Sequence, residues 1–449
     1  MRRLDHIPGP PELGPLGTLR TFTRDRETFV RNTIRAHGDV CRLRFPLRDV
    51  VVFGHPDDAA RYLNDTDGRY QKLGYRLPFR NRLGGLSFQE GRAFRDKRSA
   101  VASMFSGARL ARTFAGMAEI YDNRLDAEVD QARTADGTVD LQRVLHRLLL
   151  AGMLAAVFTE PFEPAEIRII DQGIRLGTGA FGFLRLMSGP PNVLRGPDRL
   201  PATAPVRSYR VIGARVRARR ARPEPLDDLL GALLEIRTRE GLSLDDAAVT
   251  NELVMLLSAS YGSMTAALSQ TFARVLAHPA ALERLRAEIA EVEPGDHAVE
   301  TVRGLRWAKA CFEESLRLQS SPPLLRIAAA DSTAAGFDIP RGTPLAFPLS
   351  TIHRDPRWWS DPEDFRPLRF YDPAPRGERP TLAYLTFGSG PHRCLGTQLA
   401  YLQAQYLLSV IIRRYRLELP PGWSPTETPG LAPTIAGGLP ARVTARHEL

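Results

Sequence analysis

The 449-residue sequence has little cysteine, little lysine and no long apolar run. Its three cysteines, Cys41, Cys311 and Cys394, are widely spaced, form no CxxC pair and have no HxxxH pair beside them. Such usage points to neither a disulfide framework nor a zinc site, and it suits a reducing, cytoplasmic compartment. Lysine occurs only at Lys72, Lys97 and Lys309; the other 58 of the 61 basic residues are arginines, and with 51 acids the formal net charge is +10. No basic run is interleaved with aromatics, so nucleic-acid binding is not expected. The most apolar stretch, 148–158, falls well short of the ~20 residues that a bilayer-spanning helix needs. The opening MRRLDHIPGPPELGPLG has two arginines with no apolar segment behind them. It predicts neither a signal peptide nor a membrane anchor.

What is present is the composition of a folded protein, 43% hydrophobic and 25% charged. The length allows two or three domains of ~150 residues or one large core. No linker or internal repeat divides the chain, so one domain over 1–449 is expected, with a Pro/Gly-rich lead-in at 1–20 around Pro8-Gly9-Pro10-Pro11. Segments 40–45 and 49–53 are strand-like and flank the turn-like Pro46-Leu47-Arg48, which predicts a hairpin. From about 90 to 320 helical periodicity dominates. The clearest helix is 243–278, with Ser243 and Asp246 as a capping-box-like start and Pro279 as the stop. It carries small and polar residues at Ser260, Gly262 and Ser263, where something can approach closely. A second helical block is expected over 280–319, ending before Pro322-Pro323, and an amphipathic helix from 395 to about 415. The Gly-, Pro- and Arg-rich stretch 179–223 reads as a mobile connection that can serve as a lid. The fold class is mainly α with small β-sheets at the edges.

The chemistry concentrates in Phe387-Gly388-Ser389-Gly390-Pro391-His392-Arg393-Cys394-Leu395-Gly396. Three glycines and a proline in ten residues force a tight turn whose backbone can pass close to a flat ligand. A helix is expected directly after the cysteine, placing Cys394 where helix N–H groups stabilise a thiolate. Gly396 removes a side chain that would stand against a planar group. Cys41 and Cys311 have no such frame and read as buried fillers.

This segment resembles the cysteine loop of the cytochrome P450 family of haem-thiolate monooxygenases, Phe-x-x-Gly-x-(His/Arg)-x-Cys-x-Gly, matched at Phe387, Gly390, His392, Cys394 and Gly396. The resemblance implies a single-domain fold with a long central helix over haem b, Cys394 as the iron ligand, and His392 as a donor to a haem propionate. A thiolate ligand favours cleavage of dioxygen. The family's Glu-x-x-Arg pair occurs here four times, at Glu283/Arg286, Glu300/Arg303, Glu314/Arg317 and Glu363/Arg366. Position before Pro322-Pro323 selects Glu314/Arg317. Phe365-Arg366-Pro367-Leu368-Arg369-Phe370 is similar to the family's Phe-x-Pro-x-Arg-Phe, and Arg369 is expected to complete a buried Glu-Arg-Arg network supporting the cysteine loop. Arg326 and Arg98 are implied propionate partners, since guanidinium forks suit carboxylates. Where the family commonly has Trp or His, four residues before Arg98, this chain has Phe94, which donates no hydrogen bond.

The central helix departs further. Family members carry Ala-Gly-x-(Asp/Glu)-Thr there, the acid and alcohol relaying protons. Here Ala259-Ser260-Tyr261-Gly262-Ser263 occupies that frame, with Ala259 set against the haem, glycine in place of the acid and serine in place of the alcohol; a shifted register would bring in Ser260 or Thr265. No nearby register supplies a carboxylate. Ser263 with ordered water, or a substrate hydroxyl, is the expected replacement. The implied function is oxidation of a hydrophobic small molecule, a natural-product intermediate. The expected lining is 259–263, the loop before residue 90, the turn 322–325 and the tail 433–436. Electrons are expected from a separate ferredoxin and ferredoxin reductase, the former acidic to suit a basic protein. The alternative is a family-fold protein that does not activate dioxygen: a haem-dependent isomerase or dehydratase, or a docking module of a biosynthetic assembly.

Overall fold

The computed structural model describes residues 4–11, 16–45, 48–72, 86, 89–178, 204–222, 228–236, 243–319, 321–372, 379–428 and 432–446. The proline-free stretch 226–278 contains the longest helix among the described residues, Asp246–Ala277, of 32 residues, or about 48 Å at 1.5 Å per residue. Its cap is Asp245, not Ser243: the Asp245 carboxylate accepts from Ala248 N–H at 2.7 Å, and Asp246 already lies in the first turn. The helix stops because His278, held extended by the following Pro279, cannot continue it. From 264 to 273 every residue is buried, so the helix is surrounded there on all sides. Upstream, Ala259 and Ser263 are exposed one turn apart, and the protein withdraws from that face. The helices Leu141–Val157, Ala204–Arg220, Arg306–Leu318 and Thr397–Arg414 all pack on this central helix.

Three expectations change. The block 280–319 is three helices, Pro279–Ala290, Val299–Gly304 and Arg306–Leu318, because Pro294-Gly295 interrupts it and Gly295 takes φ +76°. The helix expected from 395 runs Thr397–Arg414, and residues 402–412 are all buried, so it is a core helix and not an amphipathic one. Its polar side chains are satisfied inside the core. Gln403 donates to Tyr121 Oη at 2.8 Å, and Gln405 donates to the carbonyls of Val302 at 2.9 Å and Leu305 at 3.0 Å. Within 179–223, residues 204–220 are helical, and Arg215 and Arg219 are committed to Glu166, Glu160 and Asp228; residues 179–203 and 223 lie outside the described residues.

Three small sheets flank the helices. The largest has the order β1-β2-β8-β5-β3, built from Val40–Arg44 (β1), Asp49–Phe53 (β2), Tyr70–Lys72 (β3), Leu324–Ala328 (β5) and Pro344–Phe347 (β8). β1 and β2 form the expected antiparallel hairpin, whose turn residues Pro46 and Leu47 lie outside the described residues. β2 pairs β8 in parallel, and β3 pairs β5 antiparallel with Lys72 opposite Arg326. Thr138–Asp140 (β4), Pro440–Ala445 (β10) and Tyr415–Glu418 (β9) form a second sheet; Ser332–Ala334 (β6) and Phe337–Ile339 (β7) form a hairpin. The lead-in is pinned to the first sheet: Leu4 and Ile7 are buried, and Arg42 N–H donates to Pro8 O at 2.7 Å. Cys41 and Cys311 are buried, and burial pushes the Cys41 thiol up to about 12. No described helix is long and apolar enough to cross a membrane.

Candidate active site

The cysteine loop is a compact turn built on glycine. Gly388 and Gly390 take φ +68° and +67°, and a Cβ on Gly390 would stand 2.2 Å from Leu63 O, so neither position favours a side chain. A 3₁₀ turn over Gly390–His392 lets Arg393 N–H donate to Gly390 O at 3.0 Å, and Cys394 N–H donates back to Phe387 O at 2.8 Å. The helix does not begin directly after Cys394. Leu395 and Gly396 intervene, Gly396 is the cap, and Thr397 Oγ1 turns back to donate to Cys394 O at 2.9 Å. Unlike the other two cysteines, Cys394 is exposed. Around Gly396 a Cβ would meet only Cys394 Sγ, at 4.0 Å. Phe387 is half-buried, with its ring 5.2 Å from that of Tyr401.

Cations from three other elements converge beside this loop. Arg98, on the helix Gly91–Ala102, donates through Nη2 to Arg393 O. Arg326, 4% exposed on β5, donates to Leu325 O at 3.0 Å. Lys72, opposite Arg326 across β3 and β5, is a member that sequence patterning does not reveal, because only the strand register places it there. Among the described residues none of these three has a carboxylate within ion-pairing distance. Burial, with Arg326 adding to it, holds the Lys72 ammonium down to about 8. Burial likewise holds Arg326 down to about 10 and lowers Arg98.

His392, the fourth donor, has its Nε2 3.0 Å from Glu90 Oε2. Burial lowers its affinity for a proton. Phe94, 2% exposed, stacks on the His392 ring at 4.2 Å, so the aromatic that lacks a donor serves as a wall for the one that has it.

A prosthetic group carrying two carboxylates and its own metal ligands fits this set. It would supply the anions that Lys72, Arg98 and Arg326 lack, and the single exposed thiol suits a metal whose remaining ligands come with the group. Among the described residues no group of three or more His, Cys, Asp or Glu could hold a bare ion.

The open face of the central helix forms the other part of the site. Ser263 Oγ lies 2.7 Å from Ala259 O and 2.9 Å from Ser260 O, and Ser260 Oγ donates to Leu257 O at 3.2 Å. Beyond its own helix backbone and chain neighbours, a Cβ on Gly262 would meet no described atom within 4 Å. Thr265 does not belong to this face: it is buried and donates to Tyr261 O at 2.7 Å. The carboxylate missing at 262 has a distant counterpart in Glu252, eleven residues before Ser263 and so close to its direction on a 3.6-residue helix. Glu252 is 2% exposed, ion-paired with Lys97, and accepts from Leu86 N–H at 3.1 Å. Of the expected tail lining, Pro433 and Ile435 are buried, with Ile435 in the main core and Pro433 O accepting from Gln319 at 3.3 Å.

Behind the loop, Glu314 and Arg317 are fully buried and paired at 2.8 Å through both carboxylate oxygens. Arg369 Nε donates to Glu314 Oε1 at 3.1 Å, and so does Arg366 N–H at 2.9 Å.

The family model described as Cytochrome P450 matches residues 203–435, more than half of the chain. The chain belongs to the cytochrome P450 family. Among curated relatives it is 29% identical over 416 residues to cyclooctat-9-en-7-ol 5-monooxygenase of Streptomyces melanosporofaciens, covering 87% of this chain and 85% of that one. It is 27% identical to putative cytochrome P450 132 of Mycobacterium tuberculosis, covering 92% and 93%. Among solved structures, retinoic acid bound cyanobacterial CYP120A1 superposes with a TM-score of 0.79 at 23% identity, covering 98% of this chain and all of that one. The cytochrome P450DA heme domain gives 0.82 at 21%, covering 98% of each. The mainly helical fold with small sheets is therefore the P450 fold. The protein is a P450 oxidoreductase of the monooxygenase class, and its cofactor is haem b.

Proposed function

We propose that this P450 oxidises a hydrophobic small molecule, a natural-product intermediate, on a haem held by Cys394, Arg98, Arg326, Lys72 and His392. The observation that carries the assignment of the residues is the convergence on the one exposed thiol of cations that have no carboxylate partner among the described residues. Gly396 leaves room on the thiol side, and Ala259 is the small residue of the open helix face. When bound, the haem supplies the redox chemistry, activating dioxygen with electrons from outside and a thiolate ligand that favours its cleavage.

The chain's own part is to hold, to exclude water and to move protons. Ser263 Oγ spends its one hydrogen on the helix carbonyls of Ala259 and Ser260 and turns its lone pairs outward. A water that donates one hydrogen to this oxygen is held with its other hydrogen free for the open face, so the proton passed on is the water's. The relative named for cyclooctat-9-en-7-ol supports an apolar substrate. Electrons come from a separate ferredoxin and its reductase; exposed Arg92, Arg95 and Arg393 surround the elements bearing Arg98 and Cys394 and suit an acidic partner. One observation favours a second reading: Gly262 provides no acid, which suits a haem-dependent isomerase or dehydratase that splits no dioxygen.

The absorption spectrum of the purified protein tests the site. A reduced carbon monoxide complex with the red-shifted Soret band of a thiolate ligand is expected, and its loss in Cys394→Ser. A wild-type protein that purifies with haem but lacks that band would sink the assignment. Heavy-oxygen label from dioxygen in the product separates the monooxygenase from the isomerase reading.

A further inference from the structure

Among the described residues Glu90 is the carboxylate hydrogen-bonded to both β3 and the cysteine loop. It directly precedes the helix Gly91–Ala102, with Gly91 at φ +76°. Oε1 accepts the Lys72 backbone N–H at 2.6 Å, from β3, and Oε2 pairs with His392 Nε2 at 3.0 Å, from the cysteine loop. The side chain is 12% exposed. One carboxylate thus bonds two elements 18 and 302 residues away in sequence and stands at the head of a third. Each of the three carries a group of the donor set: Lys72 on β3, Arg98 on the helix, His392 in the loop. Arg326 joins through its register with Lys72. Like charges brought together repel, and among the described residues Glu90 is the carboxylate hydrogen-bonded into the cluster. Burial raises its carboxyl, but the bonds from His392 and Lys72 outweigh this and hold it below its ordinary value, so it stays charged.

We propose that Glu90 is a positioning residue for the haem: without touching it, Glu90 fixes His392 and the Lys72 backbone so that the propionates meet a preassembled set of donors, and its charge holds the haem reduction potential down. This rests on the assignment of the Cys394 loop as the haem site. Groups that orient the immediate partners of a metal site change its affinity by roughly 10–100-fold when removed. The sign of the electrostatic part is fixed: taking a negative charge from beside the haem favours the electron-richer ferrous state, so the potential rises.

The test compares the wild-type holoenzyme with Glu90→Ala, Glu90→Gln and Glu90→Asp by three readouts: haem transfer to excess apomyoglobin, spectroelectrochemical titration of the haem, and thermal unfolding. Glu90→Ala is expected to lose haem about tenfold faster. Glu90→Gln keeps the size and an acceptor for Lys72 N–H while removing the charge. It is expected to shift the potential positive, with a smaller rise in haem loss, and to remain informative should Glu90→Ala fold poorly. Glu90→Asp should recover the potential. In a His392→Ala background, Glu90→Ala should add little to haem loss, because much of its effect passes through His392. Wild-type potential and haem-loss rate in Glu90→Gln would overturn the proposal, as would effects of Glu90→Ala and His392→Ala that simply multiply. A wild-type protein lacking the thiolate band overturns instead the haem-site assignment, and this inference with it, so the two failures are told apart.

Discussion

Ser263 Oγ is held at 2.7 Å from Ala259 O, beside Gly262, where a Cβ would meet no described atom within 4 Å beyond its own helix backbone and chain neighbours. A hydroxyl so tethered keeps its lone pairs in one direction, which is what holding a proton-donating water in place needs and a freely turning serine lacks. Ser263→Ala is therefore expected to lower the product formed per NAD(P)H consumed, with product formation slowed roughly a hundredfold, the low end for a positioned proton-transfer group. NAD(P)H consumption and product are measured side by side with a ligand that shifts the haem spin state; unchanged coupling removes Ser263 from the relay. At this scale the sequence is legible where chemistry needs a frame of neighbours. Cys394 stands out because Gly388, Gly390 and Gly396 surround it. Lys72, Glu90 and Glu252 do not stand out, because each acquires its role from a strand register or a contact between distant segments, and nothing adjacent to them announces it. His392 shows the intermediate case: its place in the loop is legible, its bond to Glu90 is not.

Between elements, the network on Arg317 is the strongest tie. This guanidinium, with no exposed surface, donates to Glu314 through Nε and Nη2, to the carbonyls of His353 at 2.9 Å and Pro362 at 2.6 Å through Nη1, and to Asp364 O at 3.1 Å through Nη2. It joins the helix Arg306–Leu318 to the segment 353–364, while Arg369 Nη2 bonds Asp361 O at 2.6 Å from the other side. Every donor is used, which is the condition for a buried ion pair to be tolerated. Arg317→Leu leaves Glu314 charged without its main partner and three carbonyls without donors, and should destabilise the holoenzyme by about 3–5 kcal/mol. Arg317→Lys should not restore it, since an ammonium cannot reproduce the planar fork. Urea unfolding checks both, and a loss below about 1 kcal/mol in Arg317→Leu would contradict this account. The long helix was legible because no proline interrupts it. Its cap was misplaced by two residues because Asp245 competes with Ser243, and the block 280–319 was read as continuous because its periodicity outweighed Pro294-Gly295. The buried glutamines of Thr397–Arg414 mimic a polar face that only the packing reveals as interior.

The whole molecule's response to acid follows from a group at the meeting point of these elements. His353 is fully buried, accepts the Leu385 N–H at 2.9 Å on Nε2 and stacks on Tyr384. Burial, reinforced by Arg317 and Arg354, depresses its pKa to about 3, so it is neutral in the folded protein. In the unfolded chain a histidine takes up its proton near 6.5. Between those values the unfolded state binds one proton more than the folded state, so stability falls as pH drops below about 6.5 and continues to fall toward 3. The slope from this one group is about 1.4 kcal/mol per pH unit. His353→Gln keeps an acceptor for Leu385 N–H but cannot be protonated, and it should lose that share of the pH dependence while remaining close to wild type at pH 7.5. Urea unfolding of both proteins at pH 7.5, 6.5 and 5.5 measures it. The stability gap between them should close or reverse in favour of the variant on acidification; a gap independent of pH would show that His353 does not carry the acid sensitivity.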